Sequence, residues 1–113
     1  MLKTTHRITK RQDFENVYRS GSFFSFKGVT MHVLRVKSTD VKIGFVVSKN
    51  FSKSAVKRNR AKRMLRSAIA GYIPLLPAGI HIVINYRPRS PYESSKELTF
   101  VIAFLLKKHR LPV

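Results

Sequence analysis

The chain has 113 residues, with 23 Lys and Arg against 5 Asp and Glu, a formal net charge of +18. That length points to a single domain over residues 1–113, and a hydrophobic content of 43% supports one modest core and excludes a disordered chain. With no cysteine there is no disulfide, thiolate metal site or cysteine nucleophile, and no apolar run approaches the ~18 residues of a membrane span. The opening Met1-Leu2-Lys3-Thr4-Thr5-His6-Arg7 lacks the apolar stretch of a secretory signal, so a cytoplasmic location is expected.

Thr9 to Ser20 reads as a short helix, with capping-box spacing at Thr9 and Gln12 and a stop at Gly21. Phe14, Val17 and Tyr18 share one face of it. Strand texture follows from Ser22 to Ser48. Phe23, Phe24 and Phe26 open it, and Lys27-Gly28 turns the chain. Val29, Met31 and Val33 then alternate with Thr30, His32 and Leu34. Ser38-Thr39-Asp40 reads as a hairpin loop before Val41, Ile43, Phe45 and Val47, so these three strands are expected to form an antiparallel meander.

Ser54 to about Ala70 is the main helix. At ~100° per residue, Ala61, Met64, Leu65, Ala68 and Tyr72 form its apolar stripe, and Gly71 and Pro74 end it. Ile80, Ile82 and Ile84 mark a fourth strand, and Pro88 and Pro91 hold a loop. Ser94 and Glu97 have capping-box spacing for a last helix whose core face is Leu98, Val101, Ile102, Leu105 and Leu106. Its C-terminal cations, Lys107, Lys108 and Arg110, suit the negative end of its dipole. The order α-β-β-β-α-β-α defines an α+β domain, a four-stranded sheet packed with helices.

Charge distribution says more than the sum. From Val41 to Tyr92 there is no acidic residue, while Lys42, Lys49, Lys53, Lys57, Arg58, Arg60, Lys62, Arg63, Arg66, Arg87 and Arg89 all fall there. So one-sided a field calls for a polyanion from outside, nucleic acid first and an anionic membrane second. The main helix decides between them. Its apolar stripe is narrow and rich in Ala, better suited to a sheet than to a lipid surface. Arg58, Lys62 and Arg66 line one edge of that stripe, and Asn59, Arg60 and Arg63 continue round the exposed side. Arg forks grip phosphates bidentately, and Asn bonds a phosphate, a 2′-hydroxyl or a base edge.

Catalytic machinery is not evident. His6, His32, His81 and His109 fall in four different elements without ligand spacing, so no metal site is expected. Asp13 and Glu15 point apart on a helix, and Asp40, Glu93 and Glu97 sit at loops or a helix start, which leaves no carboxylate pair for a metal-dependent nuclease. There is no Gly-rich phosphate loop. An RNA-binding module of structural type accounts for the charge; a nuclease acting alone lacks residues.

The run Val56-Lys57-Arg58-Asn59-Arg60-Ala61-Lys62-Arg63-Met64-Leu65-Arg66 resembles the Arg-Asn-Arg block of the protein subunit of bacterial ribonuclease P. Gly44-Phe45-Val46-Val47-Ser48-Lys49 is similar to that family's preceding strand, and Phe14-Glu15-Asn16-Val17-Tyr18-Arg19-Ser20-Gly21 to its first helix. Many members carry a glycine in the turn before the basic helix, where this chain has Phe51-Ser52-Lys53-Ser54. The resemblance implies a mixed sheet with a left-handed βαβ crossover, against the general right-handed rule. It implies a ribonucleoprotein that removes the 5′ leader of precursor tRNA, with catalysis and Mg²⁺ belonging mainly to the RNA subunit, no cofactor on this chain, and neither DNA nor membrane as partner. Lys53, Lys57, Arg58, Asn59, Arg60, Lys62, Arg63 and Arg66 would bind the RNA subunit, and a cleft between first helix and sheet would hold the leader. Phe14, Tyr18, Thr30 and His32 supply the rings and polar tips that single-stranded RNA needs there.

Overall fold

The first helix starts later than its capping-box spacing predicts. Helix α1 spans Arg11–Ser20, its N-cap is Lys10, and no side chain caps it. The cause lies upstream: Arg7 bridges Ile43, the Ile8 amide donates to the Ile43 carbonyl at 3.1 Å, and Ile8 is buried. Those ties hold the chain extended past Thr9. The computed structural model describes residues 6–48, 52–88 and 92–112; Lys49, Phe51, Arg89 and Pro91 lie outside them.

Strands β1 (Ser22–Phe26) and β2 (Val29–Arg35) form the expected hairpin. Lys27 and Gly28 have φ of 48° and 82°, the doubly left-handed two-residue turn that matches strand twist. A side chain at Gly28 would collide with Pro88, and the Arg87 amide donates to the Gly28 carbonyl at 2.7 Å, so the turn is also clamped from outside.

The meander is not what forms. Strand β3 (Val41–Val46) does not lie beside β2, because β4 (Ile80–Tyr86) inserts between them. The order is β1-β2-β4-β3, with β2/β4 antiparallel and β3/β4 parallel. Period-two alternation in β3 fits any neighbour. What decides is β4, the most apolar strand, with Ile80, Ile82, Val83 and Ile84 all fully buried. The centre of the sheet satisfies both of its edges and lets helices cover both of its faces.

Helix α2 (Ala55–Ala70) joins β3 to β4, followed by a 3₁₀ turn at Ile73–Leu75 that contains Pro74. Its N-cap is Ser54, whose Oγ accepts from the Lys57 amide at 3.3 Å, while the Ser54 amide donates to Ser52 Oγ at 3.1 Å. Serines therefore build the turn in which the resemblance leads one to expect glycine. Ala61, Leu65, Ala68 and Ile69 are buried, with Met64 and Tyr72 at the margins. Helix α3 (Ser95–Lys108) has Ser94 as N-cap, though without the predicted side-chain bond, and buries all five of its expected core residues. Together α2 and α3 pack the main core against Val29, Met31, Val33, Ile43, Ile80, Ile82 and Ile84. On the opposite face α1 forms a small second cluster of Val17, Ile8 and Val83. No helix among the described residues is long and apolar enough to cross a membrane.

Candidate nucleic-acid interface

The α1 side of the sheet can be read as rows running across β1, β2, β4 and β3. One row is Phe23, His32, Val83 and Gly44; the next is Ser25, Thr30, Asn85 and Val46. Helix α1 covers much of the first row. Val17 seals against Val83, and Phe14 lies so close over Gly44 that a Cβ there would sit 2.6 Å from its ring. Tyr18 meets His32 edge-on at 4.9 Å, and its hydroxyl donates to Asn85 Oδ1 at 3.0 Å. The second row is polar and open, with Ser25 and Thr30 hydroxyls 2.7 Å apart.

Phe14, Tyr18, Thr30 and His32 are thus brought together as the sequence suggests. Phe14 does two jobs, packing on Gly44 and lining a cleft of about 240 Å³ with Arg7, Phe45, Lys62 and Arg66. No acidic residue lines that cleft. The Arg66 Nε is buried without a hydrogen-bond partner among the described residues. Three cations converging on one cleft repel each other and invite an anion.

The rest of the basic set lies elsewhere on α2. Lys53, Lys57, Asn59, Arg60 and Arg63 are exposed, and Arg58 is half-buried, donating to the Ser52 carbonyl at 2.8 Å. Arg60 reaches the Glu93 carbonyl at 3.2 Å. Among the described residues no carboxylate pairs with an α2 cation. The first turn of α2 holds no acid either, so Lys57 and Arg58 stand at the positive end of the dipole, an arrangement that costs stability unless a polyanion is bound.

Burial raises the Tyr18 hydroxyl above its ordinary range, against the opposing effects of Asn85 and Arg87. Burial also lowers His32 and His109, the former further depressed by the charge of His109. His109 is buried behind the sheet, with Nε2 2.9 Å from the Met31 carbonyl. At neutral pH His32 is therefore a neutral ring. A histidine whose folded pKa is depressed binds its proton more readily in the unfolded chain. Stability is then complete above the ordinary value of 6.5 and falls as pH drops below it toward the depressed folded value. The melting midpoint is expected to decline from pH 7 to pH 5, and His109→Gln, which keeps a donor for Met31, to flatten the decline; a parallel decline in the variant would refute the assignment. Among the described residues no three His, Asp or Glu gather as a metal site.

Sequence reasoning passes over Arg7, Phe23, Ser25, Asn85 and Arg87. Asn85 and Arg87 are reachable only once β4 is known to lie beside β2. Arg7 had no local signal at all.

A sheet with an acid-free basic helix at one side and a ring-lined, polar-floored groove on one face defines a basic α+β protein of the nucleic-acid-binding class. A family model described as Ribonuclease P matches residues 2–110, and the chain belongs to that family. The ribonuclease P protein component of a Pseudanabaena species is 32% identical over 112 residues, covering 98% of this chain and 97% of that protein. That of Microcystis aeruginosa is 36% identical over 91 residues, covering 77% and 76%. Among solved structures, the RNase P protein of Staphylococcus aureus superposes with a TM-score of 0.83 at 22% identity, covering 94% of this chain and 96% of that one. At such identity the likeness speaks for the fold.

Proposed function

We propose how this protein component of ribonuclease P, an endoribonuclease of tRNA 5′ processing, divides its surfaces between two RNAs. The exposed face of α2, with Lys53, Lys57, Asn59, Arg60 and Arg63, grips the RNA subunit. The groove beside α1 takes the single-stranded 5′ leader of precursor tRNA, with Phe14, Tyr18 and His32 as rings and Thr30 and Asn85 as a hydrogen-bonding floor. Arg58, Lys62 and Arg66 stand where the two surfaces meet. In this reading Mg²⁺ sits on the RNA subunit, and the chain neutralises phosphates and positions the substrate.

The observation that carries the reading is the groove itself, in which exposed rings stand beside cations with no acid between them. Ring stacking tolerates most base sequences and contributes about 1–3 kcal/mol per base. Tyr18→Ala in the assembled particle is expected to weaken precursor tRNA binding by roughly tenfold or more, and mature tRNA binding little. A melting curve serves as control. Equal losses for both tRNAs would remove Tyr18 from the leader site.

A further inference from the structure

Phe23 is the most exposed ring on the groove side of the sheet. It is 63% exposed, on the edge strand β1, directly opposite His32 in the hairpin register. Its ring centre lies 5.3 Å from that of His32 at an interplanar angle of 35°, and His32 in turn meets Tyr18. Three rings therefore run as a ladder from beneath α1 out to the edge of the sheet. Edge strands usually carry charge or proline, and an exposed phenylalanine there is a liability unless something covers it.

The groove has a direction. Its β3 end is cationic, with Arg7, Lys62 and Arg66 round Phe14. Its β1 end is aromatic, with Phe23 above the Ser25 and Thr30 hydroxyls. The two ends are three strand spacings apart, about 14 Å. A single strand crossing the sheet would have phosphates drawn to the first end and a base facing Phe23 at the other. A second copy of this chain is a poor occupant, because each copy brings +18.

We infer that Phe23 is the outermost base-stacking platform of the leader groove, and that it sets how many leader nucleotides the protein senses. The inference rests on the leader reading above. Its ligand is an unpaired RNA base of any identity, since every base has a stacking face. His32 holds the ring at the groove's mouth, and its neutral state lets the two rings pack without a charge between them.

The test is a series of precursor tRNAs with leaders lengthened one nucleotide at a time, bound to particles carrying wild-type protein, Phe23→Ala or Tyr18→Ala. Wild-type affinity should climb with leader length and reach a plateau. Phe23→Ala should match wild type on the shortest leaders and then reach its plateau earlier, binding long-leader precursors about 5- to 140-fold more weakly, the equivalent of about 1–3 kcal/mol. Phe23 is exposed, so its loss should leave the melting midpoint unchanged. If Tyr18→Ala depends on leader length while Phe23→Ala follows the wild-type curve, the inference fails and the groove reading stands. If neither variant depends on leader length, both fail. If Phe23→Ala weakens every substrate alike, mature tRNA included, the ring serves something other than the leader and the inference is overturned.

Discussion

Reversing three charges, in Arg58→Glu/Lys62→Glu/Arg66→Glu, is expected to abolish tight RNA binding while leaving the protein as stable as before. Charge-assisted contacts contribute about 1.5–3 kcal/mol each, so losing three puts the affinity down by roughly a thousandfold or more. The log–log salt slope should fall by about 0.7–0.9 for every phosphate contact removed. Stability should hold because none of the three lies on the buried stripe of Ala61, Leu65, Ala68 and Ile69. Two features even favour the variant. Glu at position 58 would sit in the early part of α2, where the dipole prefers an acid. Glu at positions 62 and 66 would face Arg7 across the cleft, replacing repulsion by attraction. Circular dichroism and melting would establish the fold, and titration with the RNA subunit at several salt concentrations would establish the binding. A folded triple variant that binds like wild type would refute the assignment.

Local periodicity made most of the elements legible. The α3 core residues, the β1–β2 turn at Lys27-Gly28 and the Ser54 cap of α2 all depend on neighbours within a few positions, and each is found where the pattern puts it. What was not legible is the pairing of distant segments. Nothing in Val41–Val46 says whether it lies beside β2 or β4, and only the burial demand of Ile80–Tyr86 on both faces decides it. The start of α1 fails for a similar reason. A local capping pattern at Thr9 is overridden by a long-range tie from Ile8 to Ile43.

The candidate site divides the same way. Tyr18, Thr30 and His32 could be grouped from helix and strand periodicity, and the basic helix from composition alone. Phe23 was within reach as well, since a two-residue turn at 27–28 places residue 23 opposite residue 32 by counting. Asn85, which holds the Tyr18 hydroxyl, was not, because it reaches Thr30 only through the β2–β4 pairing. The meeting of Lys62 and Arg66 with Phe14 likewise depends on where β3 sits.

Leu65→Ala should do the opposite of the charge reversal, damaging the fold and sparing the interface. Leu65 is fully buried, on the α2 face turned toward the sheet core. Truncating a leucine in such a place removes apolar burial and leaves a cavity, costing about 2–5 kcal/mol. For a domain of this size that corresponds to a melting midpoint roughly 8–20 °C lower. The outward cations are untouched, so the folded fraction should bind the RNA subunit with wild-type salt dependence. Binding then feeds back on stability. Because the RNA grips only the folded chain, excess RNA raises its stability by RT ln(1 + [RNA]/Kd), about 2.7 kcal/mol at a hundredfold excess over Kd. The free variant should therefore melt well below wild type, and added RNA subunit should recover much of the difference. Added to the triple charge-reversed protein, the same RNA should shift the midpoint hardly at all. An unchanged midpoint in free Leu65→Ala would mean that α2 presents a different face to the sheet. A lowered midpoint that RNA cannot raise would mean that the cations of α2 are not what the RNA holds.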